Sequence, residues 1–369
     1  MKHIFLCMSI CCAAIPSFAQ LLQGTVYDAK TKETLPGVAI FLDGTSIVTT
    51  SDNDGKFLLE VGKIINAHLV FRHLSYESLI IEKPFEYQKE AFFLVEKTNL
   101  INEARVVADF DPLSRSEKMR IFKEFFLGTS VAAKSCVIFN EDDIVLRYDY
   151  KADMLYASAA NPLIVENRYL GYGMEIDIKY FQVEFAYSNA VSPGSSKNNF
   201  ISTPFSFSYR ITSFFEDHSP YNISIISRRN EIYERSRACF WSSMINNFSI
   251  EASGFKIFNR FKAVRAKDYF VVIDNPIQKI KEVLIIPETD INRKHNEVSK
   301  GDIYGVIGIR TQKNVASEVI FLTNRFSVDH FGNVATGGLF YRGDMALQRV
   351  GDMMPLDYVY TPSKAPRRR

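Results

Sequence analysis

From residue 21 to residue 96 the apolar positions arrive in short runs about ten residues apart, the spacing of a small antiparallel sandwich. The runs cover 22–27, 38–42, 46–50, 56–61, 68–72, 76–82 and 91–95, and turn-forming or polar residues separate them at 30–33, 43–44, 52–55 and 63–66. This predicts a seven-stranded β-sandwich over 20–98. Pro36 fixes φ and Gly37 permits positive φ, which suits a turn entering the second strand, and Asp54-Gly55 suits a tight hairpin before Lys56.

Past a connector at 99–110 the pattern changes. Asp111 is placed to cap a helix and Pro112 is tolerated at its first position, and residues 113–126 carry Leu113, Ile121, Phe122, Phe125 and Phe126 at helical spacing. Strand-like runs follow at 136–139, 144–150, 154–157, 162–166 and 174–187. A second helix is expected over 229–247, and strands return at 269–273, 282–286, 303–310 and 319–322. The chain therefore reads as mainly β, a sandwich followed by a β-rich α+β domain with two helices at 111–360 and a basic tail at 361–369.

The first residues do not belong to either domain. Lys2, an apolar stretch at 4–15, Pro16 and the small residues Ser17 and Ala19 around Phe18 form the three parts of a secretory leader, expected to be cut after Ala19. The stretch is too short to span a bilayer, which takes roughly twenty helical residues, and no later segment of the mature chain is long and apolar enough to do so. Cys7, Cys11 and Cys12 leave with this leader. For Cys136 and Cys239, export permits a bridge, while two residues are too few to staple a fold, so separately buried thiols are expected ahead of one. Lys and Arg number 44 against 42 Asp and Glu, a balance that argues against nucleic acid as a partner.

Five spaced elements carry a family resemblance: Gly24-x-Val26-x-Asp28, Thr34-Leu35-Pro36-Gly37-Val38, Gly44-Thr45, Ser51-Asp52-x-Asp54-Gly55-x-Phe57 and His73-Leu74-Ser75-Tyr76-Glu77. Residues 20–98 resemble the transthyretin-like, carboxypeptidase-regulatory-like domain, which also opens many exported proteins and outer-membrane receptors of Gram-negative bacteria. The resemblance implies a sandwich fold and a non-catalytic role. The remainder is similar to an uncharacterised region that follows such domains. The residues that carry this are Phe125-Phe126-Leu127-Gly128-x-Ser130, Cys136-x-Ile138-x-Asn140, Leu155-x-Ala157, Pro162-Leu163-x-x-Glu166-Asn167-x-x-Leu170-Gly171-Tyr172 and the closing run of 349–358. Where that family's second helix usually has Gly and His, this chain has Arg235 and Cys239, so any chemistry of that His is lost here. The same departure weakens the case for a family-wide bridge to Cys136.

The chemistry itself is sparse. The six histidines, His3, His68, His73, His218, His295 and His330, form no zinc-binding spacing. Asp52-Asn53-Asp54-Gly55 resembles the start of a calcium loop, but Thr50 and Val61 stand where acidic ligands belong, so a plain hairpin is preferred. No nucleophile elbow, catalytic Cys-His pattern, phosphate loop or dinucleotide fingerprint appears. Glu166, Asn167 and Tyr172 form the densest polar motif. They read either as the lip of a ligand site or as backbone-satisfying residues beside a bend at Gly171.

These features lead to an expectation of a non-enzymatic envelope protein without metal or cofactor, in the periplasm or at the outer membrane or cell surface. Its partner would be an envelope protein, a peptide or a polysaccharide. The competing expectation is a hydrolase using paired carboxylates in the second domain.

Overall fold

The computed structural model describes residues 20–87, 90–97, 113–149, 151–186, 203–246, 250–259, 262–275, 280–286, 303–335 and 337–361. The expected leader, the connector and nearly all of the basic tail lie outside these residues, and so do Asp111 and Pro112.

The seven predicted runs form seven strands: β1 (Gln20–Asp28), β2 (Ala39–Leu42), β3 (Val48–Thr50), β4 (Lys56–Val61), β5 (Leu69–His73), β6 (Tyr76–Ile81) and β7 (Ala91–Leu94). One sheet runs β4-β1-β7 and the other β3-β2-β5-β6. Strict alternation in β4 buries Phe57, Leu59 and Val61 and exposes the residues between them, so one face of the strand supplies the core. The acidic turn before β4 is a plain hairpin: Asp52 Oδ1 accepts from the backbone N–H groups of Asp54 and Lys56, at 2.9 and 2.8 Å, and Gly55 takes φ +73°.

Two helices, α1 (Arg115–Phe126) and α2 (Val131–Lys134), then lead into a six-stranded sheet. Its strands are β8 (Cys136–Ile138), β9 (Ile144–Asp149), β10 (Met154–Ala159), β11 (Leu163–Asn167), β12 (Tyr172–Ala186) and β13 (Thr203–Asp217). The cap of α1 is Ser114, which forms a reciprocal capping box with Glu117, and not the expected Asp111. β12 and β13 make a long antiparallel pair whose register slips between Ile178 and Tyr180 and again between Glu184 and Phe185. The sequence explains the first slip. Tyr172, Met174 and Ile176 are buried at even positions and Phe181, Val183 and Phe185 at odd ones, so one extra residue must re-phase the strand to keep a single face inward.

The expected second helix is two helices, α3 (Ile223–Tyr233) and α4 (Arg237–Ile245). Ser236 breaks the run and caps α4 by accepting from Cys239 N at 3.1 Å. The break has a packing cause, because Ile232 of α3 belongs to the core under the six-stranded sheet while Cys239, Phe240, Trp241, Met244 and Ile245 of α4 belong to another. That further core is closed by β14 (Phe255–Asn259), β15 (Lys262–Val264), β16 (Phe270–Asn275), β17 (Ile280–Ile285), β18 (Gly305–Thr311), β19 (Ala316–Phe321), β20 (Arg325–Val328), β21 (Leu339–Gly343) and the short α5 (Asp344–Leu347). They form sheets ordered β15-β14-β18-β19-β21 and β16-β17-β20. Among its described residues, the region expected as one α+β domain with two helices thus contains two separate hydrophobic cores and five α-helices. Cys136 and Cys239 sit in different cores as free thiols, and burial pushes both thiols up to about 12.

The sandwich is bonded to the six-stranded sheet through the β2–β3 loop. Gly44 N donates to Ser213 O at 2.7 Å, Phe215 N to Thr45 O at 2.9 Å, and Ser213 N to Asp43 Oδ1 at 2.8 Å. Arg72 on β5 pairs with Glu175 and Asp177 on β12, and its guanidinium lies over the rings of Phe41 and Phe214. The Gly44-Thr45 element therefore serves as an internal docking loop that adds a short parallel bridge to β13.

Candidate functional site

All three cores converge on the loop between β20 and β21 and on the last described stretch of chain. Asp329, fully buried after β20, accepts four hydrogen bonds: from Phe331 N and Asn333 N on Oδ1, and from Asn66 N of the sandwich and Asn333 Nδ2 on Oδ2, all between 2.8 and 3.0 Å. Burial raises its carboxyl and these donors pull it back. Asn333 Nδ2 also donates to Leu356 O at 2.9 Å. Gly332 lets this loop reach α4: at φ +90° it lies so close that a Cβ would stand 2.0 Å from Ala238 O.

Residues 349–361 form a strap across the three cores. Gly351 N donates to Leu127 O at 2.9 Å, and a Cβ at Gly351 would stand 2.3 Å from Ala133 Cα, so only glycine fits. Further along, Leu356 N donates to Gly44 O and Asp357 accepts from Ser46 N of the sandwich. Tyr358 then donates to Asn230 Oδ1 at 2.6 Å, and Tyr360 to Glu234 at 2.8 Å.

Between strap, loop and helices lies a cleft of about 410 Å³, within the roughly 300–1,000 Å³ typical of small-molecule sites. Its aromatic lining comes from Tyr233, Trp241, Phe331, Tyr341 and Tyr358, and its polar lining includes Asn66, Arg237, Gln348 and Asp352. Trp241 is the only tryptophan of the chain, and its Nε1 donates to Tyr341 OH at 2.8 Å.

Buried polar atoms lie behind this lining. Among the described residues, four buried side-chain polar atoms lack a hydrogen-bond partner, and Asp344 Oδ2, Gln348 Nε2 and Asp352 Oδ1 are three of them. Such atoms cost about 1–3 kcal/mol each when left unpaired. Asp352 is only 7 % exposed. Burial raises its carboxyl, while a hydrogen bond with Ser130 and the charge of Arg235 pull it down. Arg235 bridges two carboxylates, 3.4 Å from Asp344 and 3.8 Å from Asp352 Oδ1. Arg235 thus ties the short α5 to the strap.

The sequence-predicted residues lie on the other side of the strap. Asn167 is buried at the end of β11. Its Oδ1 accepts from Leu170 N at 3.0 Å and its Nδ2 donates to Gly351 O at 2.9 Å, so it holds the bend and the strap. Glu166 is partly exposed and pairs with Arg168. Tyr172 is buried under Arg229, whose guanidinium is 3.8 Å from the ring centroid, and burial pushes its hydroxyl up. Gly171 makes the bend at φ +64°. None of the three lines the cleft, and the structure joins Asn167 to it only through the strap.

Arg229 also fixes a pH dependence. It donates to both oxygens of Asp217, at 2.8 and 2.7 Å. Burial pushes the Asp217 carboxyl up, but Arg229, the Ser219 N–H and nearby cations outweigh it and leave it below its ordinary value. The stabilisation is therefore complete above the unfolded value near pH 4 and disappears as pH falls through the lower folded value. We expect urea midpoints to fall as the pH drops below about 4 in the native chain, and to fall less in Asp217→Asn.

Sequence reasoning missed Gln348, Asp352, Asp329 and Asn333. The closing motif around Asp352 was the available signal, but nothing in it says which face turns inward. Comparison with known proteins places the CarboxypepD_reg-like domain at residues 22–107, a span that takes in nearly the whole sandwich. No curated protein matches the chain.

Proposed function

We propose that the carboxypeptidase-regulatory-like sandwich is a fixed brace for a ligand site, and that the chain is a non-catalytic binding protein of the bacterial envelope whose ligand enters the cleft under the strap. The observation that carries this reading is the cleft itself, about 410 Å³ walled by Tyr233, Trp241, Phe331, Tyr341 and Tyr358 with a few polar side chains among its lining, the mix typical of a small-molecule site. The export expected from the leader and the company such sandwiches keep support the envelope location. No helix of the described residues is long and apolar enough to cross a membrane, which fits attachment by binding and leaves strand-built spans aside.

The hydrolase reading has less support. Among the described residues Asp352 is the one carboxylate in the lining, and Arg235 bridges it to Asp344, where a hydrolytic pair would need space for a water or a scissile bond.

Thermal unfolding with fractionated envelope extract tests the proposal, because a ligand that binds only the folded chain raises Tm. We expect at least one fraction to raise the Tm of the native chain and to have no effect on Ala335→Phe, which fills the cleft from its lining. Equal shifts in both proteins, or none with any fraction, would reject the cleft. Release of soluble product from a stabilising fraction would favour the hydrolase.

A further inference from the structure

We infer that two copies of this chain join along the outer edge of β13, each adding its strand to the other's six-stranded sheet across a twofold axis at Ser208. Among the described residues, β13 pairs with β12 along its length and with one other piece of backbone, the β2–β3 loop at residues 213–215. That loop shows which groups face outward. Ser213 accepts from Gly44 N through its carbonyl and Phe215 donates to Thr45 O through its N–H. Backbone direction alternates along a strand, so Phe207, Tyr209 and Ile211 also turn their N–H and C=O groups away from β12. From 206 to 212 no described strand meets them, and Arg210 is the single charge along this edge. A row of open donors and acceptors with so little charge is a template for a further strand, and the loop shows that the edge accepts backbone pairing.

Charge selects a second copy as the occupant. Ser206, Ser208 and Arg210 lie on the sheet face of Glu184, Gln182 and Tyr180, to which they are paired, while Phe207, Tyr209 and Ile211 turn to the core face. Arg210 and Glu184 are exposed, Arg210 forms no ion pair among the described residues, and Ser206 Oγ donates to Glu184 at 2.8 Å. Opposed residues of two antiparallel strands must share a face, so an axis at Ser208 sets Ser208 against itself, Phe207 against Tyr209 and Arg210 against Ser206. Glu184 then lies one strand beyond, about 10 Å from Arg210 of the other copy between backbones, which the two side chains span together. The twofold makes this ion pair twice. An axis at Tyr209 would set Arg210 against Ser208 and Gln182, and one at Phe207 would set it against Pro204, so of these registers the one centred on Ser208 joins opposite charges.

Sedimentation equilibrium of the full chain tests the inference. We expect a dimer that Arg210→Glu weakens at least about tenfold, because two attractions become two repulsions, and that Arg210→Glu combined with Glu184→Arg restores. Cross-linking reads the register. Ser208 against itself is a non-hydrogen-bonded pair with Cα atoms about 4.5 Å apart, within disulfide range, so Ser208→Cys should give a covalent dimer with oxidised glutathione. Ser206→Cys, about 14 Å from its own copy, should not, and the native chain controls for Cys136 and Cys239. A monomer across the soluble concentration range, a dimer unchanged by Arg210→Glu, or equal cross-linking of the two cysteine variants overturns the inference. Slow hydrogen exchange of the Phe207, Tyr209 and Ile211 amides in a monomer would place another segment on the edge and overturn it as well.

Discussion

Asp329→Ala is expected to lower the stability of the chain by about 3–4 kcal/mol, at the upper end for a single substitution. The carboxylate accepts four hydrogen bonds, one of which crosses to Asn66 of the sandwich. Alanine leaves those donors facing a small gap, and each unpaired buried donor costs about 1–3 kcal/mol before water relieves part of it. Asp329→Asn keeps one accepting oxygen and should lose about half as much. Urea unfolding measures both, and a loss under about 1 kcal/mol for the alanine variant would show that the three cores do not depend on this node. Because Asn333 joins Asp329 to Leu356 of the strap, the same variant should also loosen the cleft. Trp241 emission should then move to longer wavelength before global unfolding.

Arg229→Ala is expected to cost about 3–5 kcal/mol, because it strands a partly buried carboxylate and two carbonyl groups at once. Arg229 is 3 % exposed. It donates to Leu170 O at 2.7 Å, to Gly171 O at 3.1 Å and to both oxygens of Asp217, while lying over Tyr172. Arg229→Lys retains the charge but not the planar fork, so it should recover less than half of the loss. The double variant with Asp217→Asn should be less damaging than the sum of the single changes, since the stranded charge is gone. Strict additivity in that cycle would mean that the two groups do not depend on each other.

Much of the architecture was legible in the order of residues. The sandwich strands matched their apolar runs because short runs between turn formers leave little choice of boundary: Asp52 and Gly55 fix one hairpin, and Gly37 at φ +71° fixes an entry turn. β13 went unpredicted although Phe207, Tyr209 and Ile211 alternate with Ser206, Ser208 and Arg210, because Pro204 and the serines weaken its strand propensity and long pairing with β12 supplies what propensity lacks. The run at 229–247 looked like a single helix because its apolar spacing continues through Ser236. Its two halves face different cores, a fact that local periodicity does not carry.

The same division holds for the candidate site. Asn167 and Tyr172 stood out because polar and aromatic residues cluster there, and their satisfied bonds and burial show how a dense motif arises from holding a bend. Asp352 and Gln348 stood out less, although they carry the unsatisfied atoms.

By itself the sequence determined the β-rich class, the seven-stranded opening sandwich and the closing motif, because strand period, turn residues and helix caps act over a few neighbouring positions. Only the tertiary structure decided how the remaining residues divide between two cores, that the Gly44-Thr45 loop docks on β13, that Asn66 bonds to Asp329, and that Asn66, Asn333 and Gln348 come together with Asp352 of the strap around one cleft. The reason is sequence distance: the bond from Asn66 to Asp329 joins positions 263 residues apart, and such a contact forms only once each core has fixed its own surface.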